Sequence, residues 1–208
     1  MSRSVLLEIS VESAERAAAA ERGGADRIEL CASLAERGLT PPVALLKAVR
    51  VAVRIPVFAM IRPRAGDFVY SQAEFTEMHK SIALARELGM DGLVLGILTS
   101  DRRVDTIHTR EFVEAAQGMP VTFHRAVDEA ADVLVAAEAI AQTGATRILT
   151  SGGKPSALEG ANTIAGMVKS SRGVLQIVAG YKELNQPAGA HQMSISVPRH
   201  FWVEDLRA

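Results

Sequence analysis

One cysteine, one tryptophan and two tyrosines among 208 residues leave this chain short of the side chains that usually staple small proteins. The lone thiol, Cys31, excludes an intrachain disulfide and fits a reducing, cytoplasmic compartment. Paired-cysteine zinc motifs are absent as well. Aromatics at 4% leave the core to Ala, Val, Leu and Ile, which suit close packing of helices on a sheet. An excess of one charge sign is also missing. A formal net charge of -1 gives no field for nucleic acid or an anionic membrane surface, so any basic site must be local. No apolar run approaches the ~18–20 residues that span a bilayer. The opening run stops at Glu8, too early for a signal-peptide core. What is present is 48% hydrophobic residues, enough for one substantial core and one domain over 1–208.

A β/α pattern recurs along the chain. Short aliphatic runs stand at 5–9, 27–30, 57–61, 92–95, 121–123, 147–149, 174–178 and 192–195. Most are continuously apolar, the mark of parallel strands covered on both faces. Helical stretches between them carry start and stop signals. Ser10 or Ser13 opens the first, and Thr40-Pro41 reads as an N-cap with proline at the first helical position. Ser71 with Glu74 and Ser156 with Glu159 read as capping boxes, while Asp105 and either Asp128 or Asp132 supply further caps. Strand spacings of about 25–35 residues suit right-handed βαβ units. Together these predict an α/β chain of the TIM-type (β/α)8 class, a fold that typically takes ~250 residues. The shortfall lies at the end. From about residue 179 onward too little chain remains for a full crossover helix, so the last unit is expected to be shortened or irregular.

In such a barrel, residues following each strand face the functional end. The segment Arg62-Pro63-Arg64 leaves the third strand with two guanidinium groups, and Asp67 follows. Arginine forks match phosphate or carboxylate oxygens, although one arginine can equally close the mouth by pairing with a barrel carboxylate such as Glu8 or Glu29. The same two carboxylates are candidates for catalytic work. After the fifth strand, His124 is a candidate acid or base with Arg125 adjacent and Asp128 placed to orient the ring. Thr150, Ser151, Gly152 and Gly153 follow the sixth strand and offer hydroxyls and an anion-binding backbone nest; Thr99 stands after the fourth. Cys31 is a soft Cu(I) donor for which Met60 or Met90 could supply a second sulfur, or it is a small packing residue.

Several long stretches resemble the CutC family of copper homeostasis proteins. They run from Ala20 to Cys31, from Gly38 to Pro41, from Pro56 to Tyr70, from Pro120 to Ala126 and from Arg147 to Gly153. The resemblance covers about residues 5–178 and implies a TIM-barrel-like fold, a cytoplasmic location, self-association and a link to copper. Copper in that family is associated with two cysteines after the first two strands. Here the second is Cys31, but Ser10, a poor Cu(I) ligand, holds the first position. The family's glycine-rich turn after the seventh strand is also replaced, by residues 178–183, and His191 has no secure counterpart. The sequence therefore supports a copper-homeostasis protein with a weak Cu(I) site at Cys31. It equally supports a TIM-barrel enzyme acting on a small phosphate or carboxylate, or a binding scaffold.

Overall fold

The computed structural model describes residues 6–171, 173–181 and 193–196. Seven parallel strands run in chain order: β1 (Leu7–Val11), β2 (Arg27–Leu30), β3 (Val57–Met60), β4 (Gly92–Leu95), β5 (Val121–Phe123), β6 (Arg147–Thr150) and β7 (Gln176–Tyr181). Among the described residues six α-helices cover the outside: α1 (Ala14–Arg22), α2 (Val43–Ala52), α3 (Gln72–Glu87), α4 (Thr106–Ala115), α5 (Val133–Ala141) and α6 (Ala161–Ser170). The sheet curls as a TIM barrel does and closes on itself, but among the described residues the parallel β/α pattern stops at β7. The eighth strand, β8 (Met193–Ser196), runs antiparallel to both β7 and β1, with Ser194 opposite Gly180 on one side and Glu8 on the other. The expected irregularity is thus a change of strand direction. A parallel return takes a dozen or more residues, whereas an antiparallel one needs only a turn. His191 and the chain beyond 196 lie outside the described residues.

The helix signals follow the chemistry of their caps. Ser13 caps α1, Asp105 caps α4 and Asp132 caps α5, each accepting first-turn N–H groups. Ser71 and Glu74 form the reciprocal capping box of α3. Thr40 departs from expectation. α2 begins at Pro42 without a side-chain cap, and the Thr40 hydroxyl instead accepts the Arg62 backbone N–H at 2.8 Å. Ser156 and Glu159 do bond each other, but in a turn ahead of Gly160, and α6 starts only at Ala161.

Two apolar clusters lie outside the sheet. One is shared by β1–β5 and α1–α4, the other by β5–β7 with α5 and α6. Alternation sends the remaining side chains inward. Among the described residues the apolar cluster there is small: Cys31, Phe58, Met60 and Val94. Leu149 and Val178 are also buried on that side, and much of the remaining interior is polar. Arg27 is ion-paired to Glu8, and the Arg27 and Arg147 guanidinium groups lie 4.9 and 3.9 Å from the Phe58 ring centroid. Glu8, expected at a strand end, is therefore inside β1, buried as the partner of Arg27.

Phe58 occupies its position because Gly92 faces it on β4; a Cβ there would lie 2.4 Å from the ring. Gly92→Ala is therefore expected to lower stability by about 1–3 kcal/mol through overpacking. Urea unfolding checks this, with a shifted midpoint and an unchanged slope as the expected outcome.

Candidate functional site

A cavity of about 350 Å³ opens at the C-terminal ends of the strands. Its wall includes Glu29 from β2, Arg62 just past β3, and His124 and Arg125 just past β5. Asp128, Glu129 and Arg37 also border it, as do Met60, Phe68, Leu149 and the turn Gly153-Lys154-Pro155. Of the sequence candidates, the structure brings Glu29, Arg62, His124, Arg125, Asp128 and Gly153 to one place.

Arg62 is 2% exposed. Its Nη groups donate to the carbonyls of Glu36 (2.7 Å), Gly38 (3.1 Å) and Gly66 (3.0 Å), and its guanidinium lies 4.9 Å from the Phe68 ring centroid. Among the described residues no carboxylate is within ion-pairing distance of it, and its Nε–H is buried without a partner. A guanidinium held by carbonyl dipoles and the neighbouring Tyr70 hydroxyl, with no carboxylate beside it, keeps its charge uncompensated, which favours an anion there. Pro63 turns the chain so that Arg64 points elsewhere. Arg64 is bound to Asp67 (2.9 Å) and Glu74 (2.5 Å) on the outside and does not border the cavity. The expected two-arginine clamp, with Asp67, is corrected accordingly: one arginine faces in and the other fixes the loop.

His124 is buried against Gly96, where a Cβ would meet its ring at 2.4 Å, and its ring lies 5.0 Å from that of Phe68. Nδ1 accepts the Ala126 backbone N–H at 3.2 Å, which places the proton on Nε2. Nε2 is buried and without a partner. Burial, and then the Arg62 charge, pushes the imidazole down to about 3, so the ring is neutral. The expected support from Asp128 is absent, because the backbone sets the tautomer.

Asp128 has another task. Its carboxylate accepts the N–H groups of Ser151 (3.0 Å) and Gly153 (2.9 Å), the Thr150 hydroxyl (2.5 Å) and the Arg125 Nε–H (2.9 Å). Arg125 Nη2 also reaches the Ser151 hydroxyl at 2.5 Å, and Thr150 accepts the Gly152 N–H at 2.8 Å. The nest after β6 is real, but the chain's own aspartate fills it. Thr150, Ser151 and Gly152 therefore serve as a clasp between two loops, which corrects their reading as a ligand cradle. Thr99 bonds Asp101 and Arg103, away from the cavity.

Glu29 accepts the Ser10 hydroxyl at 2.9 Å through Oε1, while Oε2 is buried without a partner. Burial, then the neighbouring Glu8 charge, raises its carboxyl to about 8; Ser10 and Arg27 oppose the rise. Cys31 is fully buried, its thiol pushed up by burial and by the charges of Glu29 and Glu12, and its Sγ donates to the Val11 carbonyl at 3.8 Å. Met60 shares its cluster, near Gly38, whereas Met90 belongs to the outer core. Ser10 is committed to Glu29, and the described residues hold no group of three His, Cys, Asp or Glu side chains able to bind a metal. The surroundings of Cys31 do not fit a closed copper site. Sequence reasoning missed Arg37, Phe68, Glu129 and Lys154, which lie on loops where no periodicity points inward.

The raised Glu29 carboxyl gives a pH signature. The folded chain keeps a proton that the unfolded chain releases, so this stabilisation is full below about pH 4.5 and lost as pH rises towards 8. Glu29→Gln is expected to flatten the fall of melting temperature between those values, as measured by calorimetry. An unchanged slope would remove Glu29 as its source.

The sequence model of the CutC family matches residues 5–188. A human protein called copper homeostasis protein cutC homolog is 46% identical over 84% of this chain and 64% of its own length. A CutC family protein from Enterobacter sp. (strain 638) is 45% identical over 98% of this chain and 79% of its own length. The chain thus spans about two thirds to four fifths of these relatives. Among solved structures, a CutC protein from Streptococcus agalactiae superposes with a TM-score of 0.77 at 33% identity, covering 82% of this chain and 84% of its own. A phosphonopyruvate hydrolase solved with oxalate and Mg++ shares the fold at 17% identity, TM-score 0.59, over 82% of this chain and 65% of its own. Family match, relatives and fold agree, and the chain belongs to the CutC family.

Proposed function

We propose that the barrel mouth binds a small anion, held by Arg62 and His124 with Glu29 beside them, and that this is the site of an enzyme-like activity. One observation carries the reading. Three buried polar atoms without partners, Arg62 Nε, His124 Nε2 and Glu29 Oε2, belong to three residues that wall one cavity. Leaving a buried polar atom unpaired costs about 1–3 kcal/mol, and a ligand that supplies the missing partners recovers it. Arg37, Arg125 and Lys154 add positive charge against Asp128 and Glu129. His124 then acts as a neutral donor towards developing charge on an oxygen, in place of the acid/base role suggested by sequence. Arg125 and Asp128 act by holding the two loops together. The cytoplasmic location and self-association implied by the family resemblance are kept as part of this reading.

Small anions such as sulfate, phosphate, oxalate and malonate, screened by thermal shift, are expected to include some that raise the melting temperature. The shift is expected to disappear in Arg62→Gln and to persist in Arg64→Gln, because Arg62 borders the cavity and Arg64 does not. A flat response across such a panel would overturn the reading.

A second reading is copper, which the relatives' names attach to the family. For this chain it rests on Cys31 with Met60, the sulfur side chains that share one cluster. It predicts weak Cu(I) binding, measured by competition with bicinchoninate and lost in Cys31→Ala. Binding that survives the substitution would take Cys31 out of the account.

A further inference from the structure

The turn after β6 is where backbone N–H groups would ordinarily cradle a phosphoryl group. Here it has little to give. The Ser151 and Gly153 N–H groups go to Asp128, and the Gly152 N–H goes to Thr150. Three of the five Arg62 N–H groups are spent in the same way on loop carbonyls, which leaves Nε–H and one Nη2–H. The Asp128 carboxylate on the wall disfavours a dianion. The buried donors on the wall that are left without a partner are two single N–H groups, Arg62 Nε–H and His124 Nε2–H. That pair matches the oxygens of a carboxylate better than the oxygens of a phosphate.

The rest of the wall narrows the ligand further. Met60, Phe68, Leu149 and Pro155 offer apolar surface, so part of the occupant is carbon. Glu29 Oε2 stands unpaired among these groups and needs a polar atom of its own, beyond the two oxygens of a simple carboxylate.

Resting on the anion-binding reading above, we infer that the cavity takes a short 2-hydroxy or 2-oxo carboxylate. Arg62 Nε–H and His124 Nε2–H donate to its carboxylate, the 2-oxygen lies against Glu29, and the carbon chain packs on Phe68 and Leu149.

Isothermal titration of the full chain at pH 7 with glycolate, lactate and pyruvate, against acetate, inorganic phosphate and sulfate, tests this. The 2-oxygenated acids are expected to bind about tenfold more tightly than acetate or phosphate, the equivalent of one further hydrogen bond. Because Arg62 also ties loops together, the decisive measurement is made on the unaltered chain. The His124 Nε2–H resonance, assigned by its loss in His124→Gln, is expected to move downfield on adding lactate and to stay in place with phosphate. Acetate binding as tightly as lactate would remove the 2-oxygen from the proposal. Phosphate or sulfate binding as tightly as lactate would overturn the carboxylate inference while leaving the anion site intact. Silence from every anion would overturn both.

Discussion

Alternation in a sheet curled into a ring sends every second side chain into a space that water barely reaches, and the rest of this structure answers to that constraint. Outward residues of the strands are apolar and meet the helices. Inward ones are Glu8, Ser10, Arg27, Glu29, Thr122 and Arg147, with few apolar residues among them. A charge in such a place survives only when it is paired, stacked or neutralised. Arg27 takes Glu8, Arg147 lies on the Phe58 ring, and Glu29 holds its proton. Glycines at 92 and 96 leave the room that Phe58 and His124 need, because a Cβ at either would strike those rings.

Near the mouth of the ring the accounting is left incomplete. Below it, Arg27 and Arg147 are paired or stacked, although each also keeps one buried Nη2 without a hydrogen-bond partner. At the cavity, Arg62, His124 and Glu29 each retain one buried atom that has none. The contrast with Asp128 is instructive. That carboxylate sits in a nest of N–H groups and hydroxyls on the β6 turn, so it fastens two loops without offering free donors to a ligand. Rigid loops and unpaired atoms are complementary here, since a donor that is to meet a ligand must not be free to find another partner.

Much of the fold was legible in the sequence. Aliphatic runs located the eight strands to within three residues at either end, and Ser13, Ser71, Asp105 and Asp132 marked helix starts, since caps and periodicity are local properties. Thr40 misled because its hydroxyl serves a backbone N–H 22 residues away. Arg64 misled because Pro63 separates its direction from that of Arg62, and no pattern in the sequence records where a loop turns. Arg37 and Lys154 were missed for the same reason.

By itself the sequence determined the β/α order, the family and the set of polar residues clustered around the strand ends, because each depends on residue type and short-range spacing. Tertiary structure alone decided which way β8 runs, which arginine faces inward and which carboxylate fills the nest. It also decided the state of Cys31: a lone thiol, buried and bonded to a carbonyl, in place of an exposed soft ligand. Those outcomes depend on partners far apart in the chain, whose competition for the same hydrogen bonds is settled only when the ring closes.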